Sequence, residues 1–137
     1  MNKIHESWMN LALIEAKKAF RNKEIPIGAI IIKDNKIIGK GYNQVELLKD
    51  STAHAEMIAI TSACNTLNDW RLNECDIYVT LEPCAMCAGA IIKSRLRNVF
   101  FGSYNNNDGC VSSIYNLCND SRFNHKSGVQ GGILNQE

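Results

Sequence analysis

Asp76-Ile77-Tyr78-Val79-Thr80-Leu81-Glu82-Pro83-Cys84-Ala85-Met86-Cys87 is the stretch whose reading decides the fold. Asp76 to Leu81 is a run of β-branched and apolar residues and reads as a strand. A helix is expected from about Ala85 to Ser94, and a further strand at Asn98-Val99-Phe100-Phe101. Two strands joined through a helix imply a parallel crossover.

The chain upstream supplies the rest of the sheet. Ile27-Gly28-Ala29-Ile30-Ile31-Ile32 is β-branched, Asp34-Asn35 turns the chain, and Lys36 to Tyr42 returns as a hairpin. Before it, Trp8, Leu11, Ala12, Ala16, Ala19 and Phe20 recur at helical spacing from Glu6 to about Arg21. After it, Asp50-Ser51-Thr52 offers caps for a helix from His54 to about Thr66. Downstream, Tyr104 to Gly109 is a polar loop, Ile114 to Cys118 a short helical piece, and Gly128 to Leu134 a last strand or turn. The expected fold is α/β: a three-layer α/β/α sandwich with a mixed sheet of about five strands.

At 137 residues, the chain is expected to be a single domain spanning 1–137. Hydrophobic residues make up 45% and charged residues 21%, enough for a core without disulfide staples. No apolar run reaches the ~18 residues of a membrane span. Met1 to Glu6 lacks the apolar stretch of a signal peptide, so a cytoplasmic protein is expected. A net charge of +1 gives no global field for nucleic acid. Any such contact falls to local clusters: Lys93, Arg95 and Arg97, or Arg122 and Lys126. Lys17, Lys18, Arg21 and Lys23 read as a solvated helix face. Of the six cysteines, Cys64 and Cys75 read as small core residues. Cys110 and Cys118 lack metal-like spacing, and their state stays open.

His54-Ala55-Glu56 and Pro83-Cys84-Ala85-Met86-Cys87 carry the chemistry. Each lies at the expected N-terminal end of a helix, where free N–H groups and partial positive charge favour thiolates. Taken alone, Cys84-x-x-Cys87 after a strand fits a thiol redox motif as well as a metal site. A structural zinc would need a second pair of ligands, which the sequence lacks. His54, Glu56 and both cysteines together point to metal. One imidazole and two thiolates suit one Zn2+ per chain, and an open fourth position for water marks a catalytic site. The metal lowers the pKa of that water towards ~7. Glu56 would take the water's proton, pass it to a ring nitrogen of the substrate and then protonate departing ammonia.

H-x-E with P-C-x-x-C is the signature of the zinc deaminases. The chain further resembles the bacterial tRNA-specific adenosine deaminases of the cytidine-deaminase-like superfamily. The likeness runs through Ile25-Pro26-Ile27-Gly28-Ala29, Gly41-Tyr42-Asn43, Thr52 to Glu56, Trp70-Arg71-Leu72, Thr80-Leu81-Glu82-Pro83-Cys84 and Met86 to Ala90. It continues in Phe101-Gly102, Phe123-Asn124-His125 and Gly132-Ile133-Leu134. The resemblance implies hydrolysis of adenosine to inosine at the wobble position of a tRNA anticodon loop by a homodimer. It implies that Asn43 bonds the target nucleoside, that the Ala55 N–H reads the base edge, and that Asn124 and His125 lie near the RNA path. From the residues alone, Asn43 reads as a turn residue and Asn124 as a helix cap.

Two departures from that family stand out. Asn105 occupies a loop position where Asp is usual, and is expected to touch the sugar and loosen the preference for RNA over DNA. The sequence also ends at Glu137, where the family continues into a further C-terminal helix, so lower stability and weaker tRNA binding are expected. The alternatives are a deaminase of a free base or nucleoside, of guanine or cytosine type, or of single-stranded DNA; a thiol redox protein; and a non-catalytic zinc-binding subunit, which an intact Glu56 disfavours.

Overall fold

The alternation of side chains along β1 (Gly28–Lys33) divides the molecule into layers. Ala29 and Ile31 pack with Ala55, Ala59 and Ala63 on one side of the sheet, and Ile30 and Ile32 with Met9 and Ala12 on the other. A strand covered on both faces reads as a continuous apolar run, as Ala29 to Ile32 does. The computed structural model describes residues 3–134.

Helix α1 (Lys3–Arg21) forms one layer. β1 turns into β2 (Lys36–Tyr42) through Asp34 and Asn35, with φ of 51° and 63°. Positive φ at both central residues is what a two-residue hairpin of matching twist requires. Then follow the short α2 (Val45–Leu48), α3 (Ala55–Leu67), β3 (Asp76–Leu81), α4 (Ala85–Lys93), β4 (Asn98–Ser103), a 3₁₀ turn at Leu117–Asn119 and β5 (Gly128–Gln130). The strand order is β2-β1-β3-β4-β5, with β1 antiparallel to β2 and β3, and β3, β4 and β5 mutually parallel. This is the expected mixed five-stranded α/β sandwich, with α1 on one face and α3 and α4 on the other.

Helix α3 lies directly on β2. A Cβ added at Gly41 would stand 2.3 Å from the Ala55 carbonyl oxygen and 2.8 Å from the Ala59 nitrogen, so only glycine permits this approach. At the start of the parallel pair, Asp76 accepts two bonds at 3.0 Å from the Arg97 guanidinium and a third from the Asn98 amide.

Two local expectations differ from what is observed, and one short helix had no expectation at all. Helix α1 starts at Lys3 rather than Glu6. Helix α2 lacks a local signal because its donors are satisfied from afar: the N–H groups of Glu46 and Leu47 bond the Glu24 carboxylate at 3.1 and 2.8 Å. The helical piece expected at Ile114 to Cys118 shrinks to a 3₁₀ turn at Leu117–Asn119. Just before it, the N–H groups of Val111, Ser112 and Ser113 are drawn to the Glu82 carboxylate instead of to carbonyls one turn back.

Candidate active site

The N-terminal ends of α3 and α4 meet at the candidate site. His54 caps α3 and Cys84 caps α4, both with extended backbone, and Cys87 lies in the first turn of α4. His54 Nδ1 is 3.7 Å from Cys84 Sγ and 3.5 Å from Cys87 Sγ. All three donor atoms lie within 4.8 Å of one another, and theirs is the group among the described residues that could hold a metal ion.

The electrostatics fit a dication at this point. Cys84 is held down to about 5, chiefly by a hydrogen bond from the Cys87 thiol, against the effect of its burial. Cys87 is pushed up by its bond to Cys84 and by burial. The two thiols shift in opposite directions because each faces the other, and a bound cation would favour ionisation of both. Glu56 is only 3% exposed, and burial raises its pKa to about 7, with the negative charge of Cys84 adding to the shift. Its Oε1 is buried without a hydrogen-bond partner, whereas every other fully buried side-chain oxygen or nitrogen among the described residues has one. An unpartnered carboxylate oxygen is costly to keep. Beside one nitrogen and two sulfur donors, it suits a site that takes up zinc and a reacting water.

The expected substrate residues fall into three groups. Asn43 and Ala55 come to the donors and meet each other: the Ala55 N–H, expected to read the base edge, donates to Asn43 Oδ1 at 2.9 Å. Asn43 is buried, and its amide nitrogen is the group left to offer a ligand. Asn105 sits in the loop after β4. Its backbone N–H bonds Glu82 Oε1 at 3.1 Å, while its side-chain oxygen accepts from the N–H groups of Asn107 and Asp108 at 3.3 and 3.2 Å. Asn124 and His125 lie elsewhere in the same chain. His125 Nε2 donates to the Leu96 carbonyl at 2.8 Å, beyond the C-terminal end of α4, whose nine residues span ~13 Å. Asn124 is exposed in a groove with Trp70, Lys93, Arg95 and Phe123.

Glu82 entered the sequence reading only as part of the Thr80 to Cys84 motif, without a role of its own. Only 2% exposed, it accepts bonds from the backbone of Asn105, Val111, Ser112 and Ser113 and from the Ser113 hydroxyl. Burial alone would raise its pKa; the bonds from Ser113, Asn105 and Ser112 outweigh that and hold it below the usual carboxylate range. The available signal was an acidic residue directly after the largely apolar Ile77 to Leu81 run. The cysteines left open are resolved: Cys110 and Cys118 are both buried and free, as is Cys75, while Cys64 is half-buried and free.

The sheet order, the two helix N-termini and the three donors beside a buried glutamate together define a zinc-dependent hydrolytic deaminase. The cytidine and deoxycytidylate deaminase zinc-binding region matches residues 2–103. Among curated proteins, the chain is 45% identical over 132 residues to the tRNA-specific adenosine deaminase of Bacillus subtilis, covering 96% of this chain and 82% of that protein. It is 48% identical to that of Aquifex aeolicus, over 88% and 80% of the two chains. The chain belongs to the family of the tRNA-specific adenosine deaminases. A solved structure of a tRNA:A34 deaminase superposes with a TM-score of 0.91 at 38% identity, covering 95% of this chain and 94% of the other. The guanine deaminase of Bacillus subtilis superposes with a TM-score of 0.71 at 40% identity, over 76% and 66%.

Proposed function

We propose that this chain converts adenosine and water to inosine and ammonia at the wobble position of a tRNA anticodon loop. The observation that carries the chemistry is the buried, unpartnered Glu56 Oε1 beside the His54, Cys84 and Cys87 donors. The substrate follows from the kinship with tRNA-specific deaminases across nearly the whole chain.

His54, Cys84 and Cys87 would hold one zinc per chain. When bound, zinc lowers the pKa of a water towards ~7 and so supplies a nucleophile at neutral pH. Glu56 would take a proton from the attacking water and deliver it to the ring nitrogen next to the attacked carbon. It would then take the second proton, from the hydroxyl formed on that carbon, and pass it to the amine, so that ammonia leaves as the carbon–nitrogen bond breaks and the carbonyl forms. One carboxylate serves as base and acid in turn, and a value raised to about 7 suits both tasks. Asn43, its oxygen fixed by the Ala55 N–H, donates through its amide nitrogen to the target nucleoside. Asn105, Asn124 and His125 are assigned to the RNA path, Asn105 at the sugar.

Incubation of the purified chain with total tRNA, followed by inosine sequencing, tests this reading. Inosine at wobble adenosine supports it. Ammonia from free guanine with tRNA left intact would replace it with the guanine-deaminase alternative, which the 40% identity to the Bacillus subtilis enzyme motivates. Free cytosine, free adenosine and single-stranded DNA complete the comparison.

The reading brings with it a single domain, a homodimer and a cytoplasmic location, where a tRNA substrate is met. No helix among the described residues is long and apolar enough to cross a membrane. The segment from Met86 to Arg97 is assigned to the dimer interface. Supporting this, a Cβ at Gly89 would meet nothing within 4 Å, so the outer face of α4 is open to a second helix. Beside it runs a groove of about 570 Å³ with exposed Trp70 and Phe123. Light scattering at micromolar concentration should report a dimer, and Gly89→Trp should split it.

A further inference from the structure

We propose that Glu82 is a positioning residue for the RNA, holding the 104–113 loop in a fixed relation to the zinc donors. The carboxylate is gripped on all sides. Oε1 accepts from the Asn105 N–H at 3.1 Å and the Ser113 hydroxyl at 2.5 Å. Oε2 accepts from the N–H groups of Val111, Ser112 and Ser113 at 3.3, 2.7 and 2.7 Å. Both ends of the loop are thus tied to one side chain.

The third tie is steric. A Cβ at Gly109 would lie 2.4 Å from Glu82 Cδ and 2.5 Å from the Asn105 carbonyl oxygen, so the loop folds this tightly around the carboxylate only with glycine there. The other side of Glu82 leads straight to the metal donors. Its N–H bonds the Ser103 carbonyl at 2.9 Å, and the next carbonyl, of Pro83, accepts from the Cys110 N–H at 2.8 Å. Glu82 therefore joins the strand ends that carry Cys84 to a loop that carries Asn105.

What the loop presents is suited to unpaired bases. Tyr104, Ile114 and Tyr115 are 47%, 46% and 62% exposed in and directly after it. Exposed aromatic rings are platforms on which splayed bases stack. The loop also leaves the C-terminal ends of parallel strands, the side of an open α/β sheet where ligands bind. His54, Cys84 and Cys87 sit at the N-terminal ends of α3 and α4, and none of the bonds to the Glu82 carboxylate involves their side chains. Losing the Glu82 grip should weaken RNA binding and spare the metal and the chemical step. This inference rests on the proposed tRNA activity.

The test uses the full zinc-loaded chain, its Glu82→Gln variant, and an anticodon stem-loop RNA with adenosine at the wobble position. Glutamine keeps one acceptor oxygen but turns an amide NH2 towards N–H donors. Bonds to a charged group are each worth about tenfold or more, so KM should rise by at least about that factor. kcat should stay within about twofold and zinc content should not change. Ser113→Ala removes one bond and keeps the carboxylate. It should raise KM by a smaller factor in the same direction, and it serves if Glu82→Gln does not fold. A joint fall of zinc content and kcat at unchanged KM would overturn the proposal in favour of a prop for the metal site. Unchanged kinetics would overturn it as well. Hydrogen exchange separates this idea from the substrate assignment. The amide protons of Asn105, Ser112 and Ser113 should exchange faster in Glu82→Gln even if wild-type protein leaves the RNA untouched, and unchanged exchange would refute the grip itself.

Discussion

Replacing Glu56 with alanine should separate metal binding from turnover. The donors of His54, Cys84 and Cys87 remain, so zinc content should match wild type. Proton transfer by a positioned group is worth ~10²–10⁴-fold, so kcat should fall by at least the lower figure. A variant that retains a tenth of the wild-type rate would remove Glu56 from the mechanism. Cys84→Ala should lose zinc and stability together, read by elemental analysis and thermal melting, because metal binding contributes to folding. Asn105→Asp is a clean test of charge in the loop. An aspartate oxygen accepts the same bonds from the N–H groups of Asn107 and Asp108, so the turn should persist. An ionised acceptor bonds a ribose hydroxyl more strongly, and that hydroxyl distinguishes RNA from DNA. The RNA-to-DNA ratio of kcat/KM on matched hairpins should rise, and a constant ratio would assign Asn105 to turn formation alone.

The elements themselves were legible to different degrees, for physical reasons. β1, β3 and β4 announce themselves because strands buried on both faces are continuous apolar runs. The clustering of His54, Cys84 and Cys87 was legible because they sit at element ends that short motifs mark well. Helix α2 and the course of residues 111–116 were not, because carboxylates distant in sequence, Glu24 and Glu82, capture their N–H groups. Local periodicity carries no record of such capture. The likeness to a family suggested Asn124 and His125 beside the RNA, yet their placement at the far end of α4 had no signature in spacing. Gly41 shows how one element fixes another. A methyl group there would press on the backbone of α3, which cannot step aside without moving His54 and Glu56. Gly41→Ala should cost about 1–3 kcal/mol in urea unfolding and weaken zinc retention at the same time. Full zinc affinity in a destabilised variant would show that α3 and the donors are less tightly coupled than this contact implies.

For the molecule as a whole, the candidate zinc donors are drawn from the ends of both α3 and α4, so zinc held there should stabilise the fold rather than one helix. With zinc at about a hundred times its dissociation constant, the folded state gains about 2.7 kcal/mol. In a domain of this size that corresponds to roughly 10 °C in melting temperature. Treatment with a strong chelator should lower the melting temperature by about that amount, and added zinc should restore it. An unmoved transition would mean that His54, Cys84 and Cys87 hold no metal that matters to the fold.

The strand order also bears on the birth of the chain at the ribosome. β1 lies between β2 and β3, but β3 is made well after the hairpin is complete. Until Asp76 to Leu81 emerge, one edge of Ala29 to Ile32 has only water to bond, and an apolar strand with an open edge pairs readily with other chains. Nascent fragments that end between α3 and β3 should therefore clump or recruit chaperones, whereas fragments reaching past Phe101 should not. The sheet order that buries the central strand so completely in the finished protein leaves it the most vulnerable segment of the unfinished one.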